Sequence, residues 1–217
     1  GALGNGDSDS ADKYTPQIIA TPADRQVTKV ESGATHTCTL MDDGGIMCWG
    51  RDNTGQLGNG GTSDTIYSPS TNVELPEGRA ATDLSVGDHH SCALLDNGSV
   101  ACWGQNNHGQ LGDNTTTNAP IPVYAHLPMN SVAVSVSAGP YSSCAVLENS
   151  SVYCWGHNNY GRLGIGVSGG VYPAPMFVEQ ANNVVVLSLN YDHTCALSEN
   201  GSISCWGRNN HGQLGIG

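Results

Sequence analysis

Each of the four tryptophans in this chain sits in a Cys-Trp-Gly triplet, and a second cysteine stands ten positions before the cysteine of each triplet. The pairs are Cys38/Cys48, Cys92/Cys102, Cys144/Cys154 and Cys195/Cys205, and they use all eight cysteines. Successive second cysteines lie 54, 52 and 51 residues apart. A period near fifty, with turn signals between short apolar runs, marks an array of stacked blades rather than one irregular core. The repeats run 7–60, 61–114, 115–166 and 167–217, and residues 1–6 match the tail of a preceding repeat.

The second copy shows the local fold most clearly. Two short apolar runs flank Asp96-Asn97-Gly98, a strong hairpin signal. A three-residue loop with Gly98 in the left-handed conformation sets Leu94 opposite Val100, Ala93 opposite Ala101 and Cys92 opposite Cys102. The cysteines then fall at a non-hydrogen-bonded pair, where cross-strand side chains come closest. A two-residue turn would instead place Cys92 opposite Trp103. The other tips read Asp-Asp-Gly at 42–44, Glu-Asn-Ser at 148–150 and Glu-Asn-Gly at 199–201, so Ser150 departs from glycine at the bulge. The register favours four disulfides within repeats over free buried thiols, and zinc sites usually show closer pairs such as Cys-x-x-Cys. Disulfides in every repeat predict an oxidising compartment.

Further β-rich stretches precede each hairpin, such as Val132–Ser137 and Val184–Leu189. Proline-containing strands precede those, such as Thr15–Ile19 and Ile121–Tyr124. Proline suits a sheet edge. Four short strands per repeat predict an all-β propeller with four four-stranded blades. Glycine, at 29 of 217 residues, is nearly twice as frequent as usual, which suits many tight turns and argues against a helical protein. The net charge of −12, with seven Lys and Arg in all, has the wrong sign for nucleic-acid binding and disfavours anionic membranes. No apolar run approaches the ~18 residues of a membrane-spanning helix.

The pattern Gly-x-x-His-x-Cys-x-Leu … Gly-x-x-Cys-Trp-Gly-x-Asn-x-x-Gly-Gln-Leu-Gly resembles the repeat of the regulator of chromosome condensation family. It recurs in four copies over nearly the whole chain. Copy three departs from it at Ser142 (motif His) and Arg162 (motif Gln), copy one at Asp52 (motif Asn), and copy four at Asn190 (motif leading Gly). The resemblance implies a β-propeller, usually of seven blades. The motif tail at residues 1–6 gives the expectation of a piece of a seven-bladed or longer array, and a self-closed four-bladed ring is the alternative. Open blade ends would then favour self-association.

Positions that the repeat leaves free are the candidates for recognition. Between the leading Gly and the motif His they are Ala34-Thr35, Asp88-His89, Pro140-Tyr141 and Tyr191-Asp192. The resemblance implies that residues here line one face and contact proteins. The candidate binding face is therefore Thr35, Asp88, His89, Tyr141, Tyr191 and Asp192. A second set follows Cys-Trp-Gly: Arg51 and Thr54, Gln105 and His108, His157 and Tyr160, Arg208 and His211. Of these, Arg208 and His211 join the candidate face, since Arg, His and aromatic side chains suit interfaces. Ordinary solvated loops are the alternative.

His36, His90 and His193 recur at one motif position, which predicts a packing or hydrogen-bonding role. His108, His157 and His211 lack the carboxylates of a metal ring. Asp7-Ser-Asp-Ser-Ala-Asp12 lacks the central Gly and final Glu of a calcium loop. Asn97, Asn114, Asn149 and Asn200 open Asn-x-Ser/Thr sequons. No nucleophile–base pair or metal triad recurs, so the expectation is a non-enzymatic protein without cofactor or metal. The expected function is an extracellular or cell-surface propeller, interacting or structural, that presents a loop-lined face to a protein or glycan. The alternatives are a secreted enzyme inhibitor and guanine nucleotide exchange on a small GTPase, the activity of the family's founding member. The paired cysteines argue against the last.

Overall fold

The hairpin register follows the cysteine spacing in all four repeats. In the second, Cys92 stands opposite Cys102, Leu94 opposite Val100 and Ala93 opposite Ala101. Gly98, at a φ of 77°, closes the three-residue turn, and its N–H donates to the Leu95 carbonyl at 2.9 Å. Ser150 closes the same turn in the third repeat at a φ of 62°, so the loop type survives the loss of glycine. The Cα atoms of the four cysteine pairs are 4.0–4.1 Å apart and all four pairs are bonded. That separation is the one expected of non-hydrogen-bonded cross-strand neighbours.

The computed structural model describes residues 2–6, 12–62 and 65–217. Its first sheet joins β1 (Val27–Ser32), β2 (His36–Met41), β3 (Ile46–Arg51) and β4 (Thr65–Asn72). The second joins β5 (Ala81–Val86), β6 (His90–Leu95), β7 (Val100–Gly104) and β8 (Ala119–Tyr124). The third joins β9 (Ala133–Ala138), β10 (Ser142–Leu147), β11 (Val152–His157) and β12 (Val171–Phe177). The fourth holds three strands, β13 (Val184–Leu189), β14 (His193–Ser198) and β15 (Ile203–Gly207). All neighbours are antiparallel and follow chain order.

Two expectations change. The fourth blade has three strands among the described residues rather than four. The proline-bearing strands also close the blade of the hairpin before them: β4 pairs with β3, β8 with β7 and β12 with β11. Each sequence repeat is therefore offset by one strand from a sheet. Thr15–Ile19, the first such stretch, forms no strand. The possible calcium loop at Asp7–Asp12 lies outside the described residues, apart from Asp12.

The core lies between blades. Leu40 and Ile46, on the cysteine face of the first sheet, pack with Leu84, Leu95 and Trp103 of the second. Leu94 and Val100 meet Val136, Leu147 and Trp155 in the same way, and Val146 and Val152 meet Leu187, Ala196 and Trp206. Each fully buried Leu, Ile or Val contributes about 1.5–3 kcal/mol relative to exposure. In the fourth blade the equivalent residues, Leu197 and Ile203, are 38% and 71% exposed.

Candidate interaction face

The start of each central strand and the end of the next meet at one rim of the blades. In blade three the rim holds Tyr141 beside His157, whose N–H donates to the Tyr141 carbonyl at 3.0 Å. Gly156 permits this approach: a Cβ there would lie 2.5 Å from the Tyr141 carbonyl oxygen, and its φ of 107° also disfavours any other residue. Below the rim, the motif histidines are structural. His36 and His90 are fully buried, with Nε2 2.8 Å from the hydroxyls of Ser91 and Ser143 in the next blade. Burial lowers both imidazole pKa values to about 3, so they are neutral at physiological pH.

Above them, side chains from blades two, three and four form one continuous strip. The rings of His108 and His157 stack with centroids 4.6 Å apart. Tyr141 packs edge-on against both, at 5.2 and 6.2 Å, and against Tyr191 at 5.8 Å. Edge-to-face geometry sets the positive edge of one ring on the negative face of the next. Tyr191 donates its hydroxyl to Asp88 Oδ2 at 2.5 Å, which joins blade four to blade two. That bond raises the phenol pKa to about 12 and keeps it a donor. Asp88 and Tyr191 also line a cavity of about 240 Å³ with Val86, Ala138 and Leu189.

At the other end Asp192 accepts from two guanidiniums, Arg162 Nη2 at 3.1 Å and Arg208 Nη1 at 2.9 Å. Arg208 lies 4.6 Å over the ring of Tyr160. Arg162 is only 3% exposed, and burial lowers its pKa. The motif glutamine at this position acts within its own turn. In copy two, Gln110 Oε1 accepts the His108 N–H at 2.9 Å. A guanidinium cannot accept. The turn in copy three is instead a short 3-10 segment, Asn159–Gly161, with Tyr160 at a φ of 60°. The freed side chain reaches Asp192 in the next blade.

Burial also lowers the imidazole pKa values of His108 and His157, with Arg162 repelling the charged form of each and His108 that of His157. Neutral rings stack without charge repulsion, so the strip is assembled at neutral pH.

Of the residues expected on the binding face, Asp88, Tyr141, Tyr191, Asp192 and Arg208 come together in this strip. His108, His157, Tyr160 and Arg162 belong to it too. The first three were visible as variable loop positions and Arg162 as a departure from the motif. Thr35 and His211 have other surroundings: Thr35 Oγ1 is buried on blade one, and the exposed His211 is held by its own loop through Gln213. His89 stands next to the buried histidines and disfavours their protonation. Among the described residues no three His, Cys, Asp or Glu side chains are grouped to hold a metal ion.

The RCC1-like domain pattern matches residues 1–217. The chain is 29% identical over 218 residues to the ultraviolet-B receptor UVR8 of Arabidopsis thaliana, covering all of this chain and 49% of that receptor. It therefore spans about half the length of that relative. Human WBSCR16 superimposes with a TM-score of 0.82 at 21% identity, over all of this chain and 58% of that one. The ectodomain of the receptor kinase CR4 from Physcomitrella patens does so with a TM-score of 0.57 at 20% identity, over 91% of this chain and 45% of the other.

Proposed function

The chain belongs to the RCC1-like domain family, and on that basis we propose that it is a non-enzymatic propeller of an extracellular or cell-surface compartment that docks a protein through its loop rim. The observation that carries this reading is the strip from Asp88 to Arg208. Apart from Arg162, which replaces the motif glutamine, it is built from positions that the repeat leaves free, and it offers Tyr191 and Tyr160 half exposed. Tyrosine gives a large contact area for little conformational entropy. Residues that merely hold a blade recur from copy to copy, as the four tryptophans do. The salt bridges and ring contacts fix the strip before a partner arrives, which lowers the entropy cost of binding.

The compartment is supported by four disulfides that use every cysteine. Such bridges persist where thiols are not kept reduced. The likeness to a receptor-kinase ectodomain agrees with this placement.

The test is capture of a cross-linked partner by the wild type, by Tyr141→Ala/Tyr191→Ala, and by Glu199→Ala at the opposite hairpin tip. The double variant should lose at least tenfold in affinity with its thermal unfolding unchanged, and Glu199→Ala should bind like the wild type. Equal binding by all three would place the interface elsewhere. Retention of the captured species only through its carbohydrate would replace the protein partner with a glycan.

A further inference from the structure

The hairpin tips lie at the far end of each blade from the loop rim. In blade three, Tyr141 precedes β10 on the rim, and the tip Glu148-Asn149-Ser150 follows its last residue, Leu147, about 20 Å away along the strand. The tips of blades two, three and four each present an asparagine followed two residues on by serine: Asn97-Gly98-Ser99, Asn149-Ser150-Ser151 and Asn200-Gly201-Ser202. All three asparagines are exposed. Each turns its Oδ1 back to accept the serine N–H, at 3.0, 3.1 and 3.0 Å. The Nδ2 amide of each is left without a bond among the described residues.

The turn itself needs less than this. In blade one Asp43 Oδ1 accepts the Gly45 N–H at 2.9 Å in the same place, so a carboxylate serves as well as an amide and no hydroxyl is required. In blade three Ser150 stands for the glycine of the turn, while the asparagine and the following serine are both present. What the three tips share beyond turn geometry is an asparagine amide and a serine hydroxyl, the two groups that define an acceptor for N-linked sugar.

The tip of blade two also borders a groove of about 380 Å³, where Asn97 and Ser99 face Tyr124, Leu127, Pro128 and Met129 across the lining. Met129 is 91% exposed. A pyranose ring has a C–H face that covers such side chains, while its hydroxyls stay in water. A sugar bonded to Asn97 Nδ2 starts within the lining of that groove and gains by removing apolar surface from solvent.

We infer that Asn97, Asn149 and Asn200 are N-glycosylated and that the first sugar on Asn97 lies over Met129. The donor is a lipid-phosphate-linked oligosaccharide. Nδ2 attacks its anomeric carbon, and the C–N bond forms as the bond to the phosphate oxygen breaks. The lipid phosphate leaves, and one amide proton passes to a base of the transferring enzyme. Sugars on three successive tips make that rim bulky and hydrophilic, so a protein partner meets the blades at the loop rim. Asn114, which opens the fourth sequon, stands in the connection between β7 and β8, on the loop side. Glycan transfer requires the extracellular placement proposed above and nothing else of that reading.

The test is mass spectrometry of intact glycopeptides from protein isolated from its source, with the cysteines mapped in the same digest. Asn97, Asn149 and Asn200 should each carry an oligosaccharide. Hydroxyl-radical footprinting of Asn97→Gln, produced in the same source, should oxidise Met129 severalfold faster than in the wild type, with thermal unfolding little changed. Met176, 38% exposed on β12, should react alike in both. Bare asparagines at the tips of disulfide-bonded protein, or sugar confined to Asn114, would overturn the inference and leave the extracellular placement standing. Bare tips together with free thiols would overturn both. Sugar at the tips with Met129 equally reactive in the two proteins would overturn its seat in the groove.

Discussion

Trp155 donates its indole N–H to the backbone carbonyl of Gln110, 2.8 Å away in the preceding blade. The Ser143 hydroxyl donates to the same carbonyl at 2.9 Å. That hydroxyl has spent its one proton, so His90 Nε2, 2.8 Å away, must be the donor to Ser143. One carbonyl thereby ties a tryptophan, a serine and a histidine across the blade interface. The relation recurs between Trp49 and Ala2, Trp103 and Gln56, and Trp206 and Arg162, at 2.8–3.0 Å. It accounts for the pairing of Cys-Trp-Gly with Gly-Gln-Leu-Gly in the repeat: the glycine after Leu111 lies against Trp155, where a Cβ would sit 2.8 Å from the indole nitrogen.

Trp155→Phe keeps an aromatic ring but removes that donor. The expected loss is about 1–3 kcal/mol, from a buried acceptor left with one partner and a smaller ring. Urea denaturation should show a lower midpoint with the slope unchanged. An unchanged midpoint would mean the indole bond contributes nothing to the interface.

Ser150 holds a left-handed backbone that glycine adopts freely and other residues adopt at a cost of roughly 1–2 kcal/mol. Its counterparts Gly44, Gly98 and Gly201 have φ values of 77–82°. Ser150→Gly should therefore raise stability by up to about 1 kcal/mol, after the greater freedom of glycine in the unfolded chain is set against it. A fall in the thermal midpoint would show that the serine side chain stabilises this turn.

Hairpin register was legible because cysteine spacing and a loop glycine fix it locally. The grouping of strands into blades was not. The proline strands lie between two hairpins, and pairing with either satisfies the same alternation; only the turn Gly55–Gly60, gripping Pro120 from the blade before, decides it. The rim was half legible. Tyr141 and Tyr191 stood out because they vary within a fixed frame. The Arg162–Asp192 pair spans 30 residues, and nothing local announces it. Thr35 shared the same frame position, but its hydroxyl is buried on blade one.

Asp52 marks where copy one departs from the motif. Its Oδ1 accepts the Leu57 N–H at 3.0 Å, as Asn106 does for Leu111 and Asn158 for Leu163. Those asparagines also donate through Nδ2, to Thr115 and Val167 carbonyls among others. Asp52 Oδ2 is instead buried without a partner, and burial raises the carboxyl pKa from 3.8 to about 6. A raised folded value means that the contribution to stability is complete below about pH 3.8 and is lost as pH rises through about 6. Asp52→Asn should therefore stabilise the protein at pH 7 by about 1–2 kcal/mol and leave it unchanged or weaker at pH 3.5. Thermal midpoints of both proteins across that range check this, and parallel curves would contradict it.

The account depends most on the state of the cysteines, because the register, the blade faces and the extracellular placement all meet there. The direct measurement is mass spectrometry of a thiol-blocked, non-reduced digest of protein isolated from its source without reductant. The predicted result is four links, Cys38–Cys48, Cys92–Cys102, Cys144–Cys154 and Cys195–Cys205, with no blocked thiols. Free thiols in the isolated protein would contradict the oxidising compartment, and links between repeats would contradict the hairpin register.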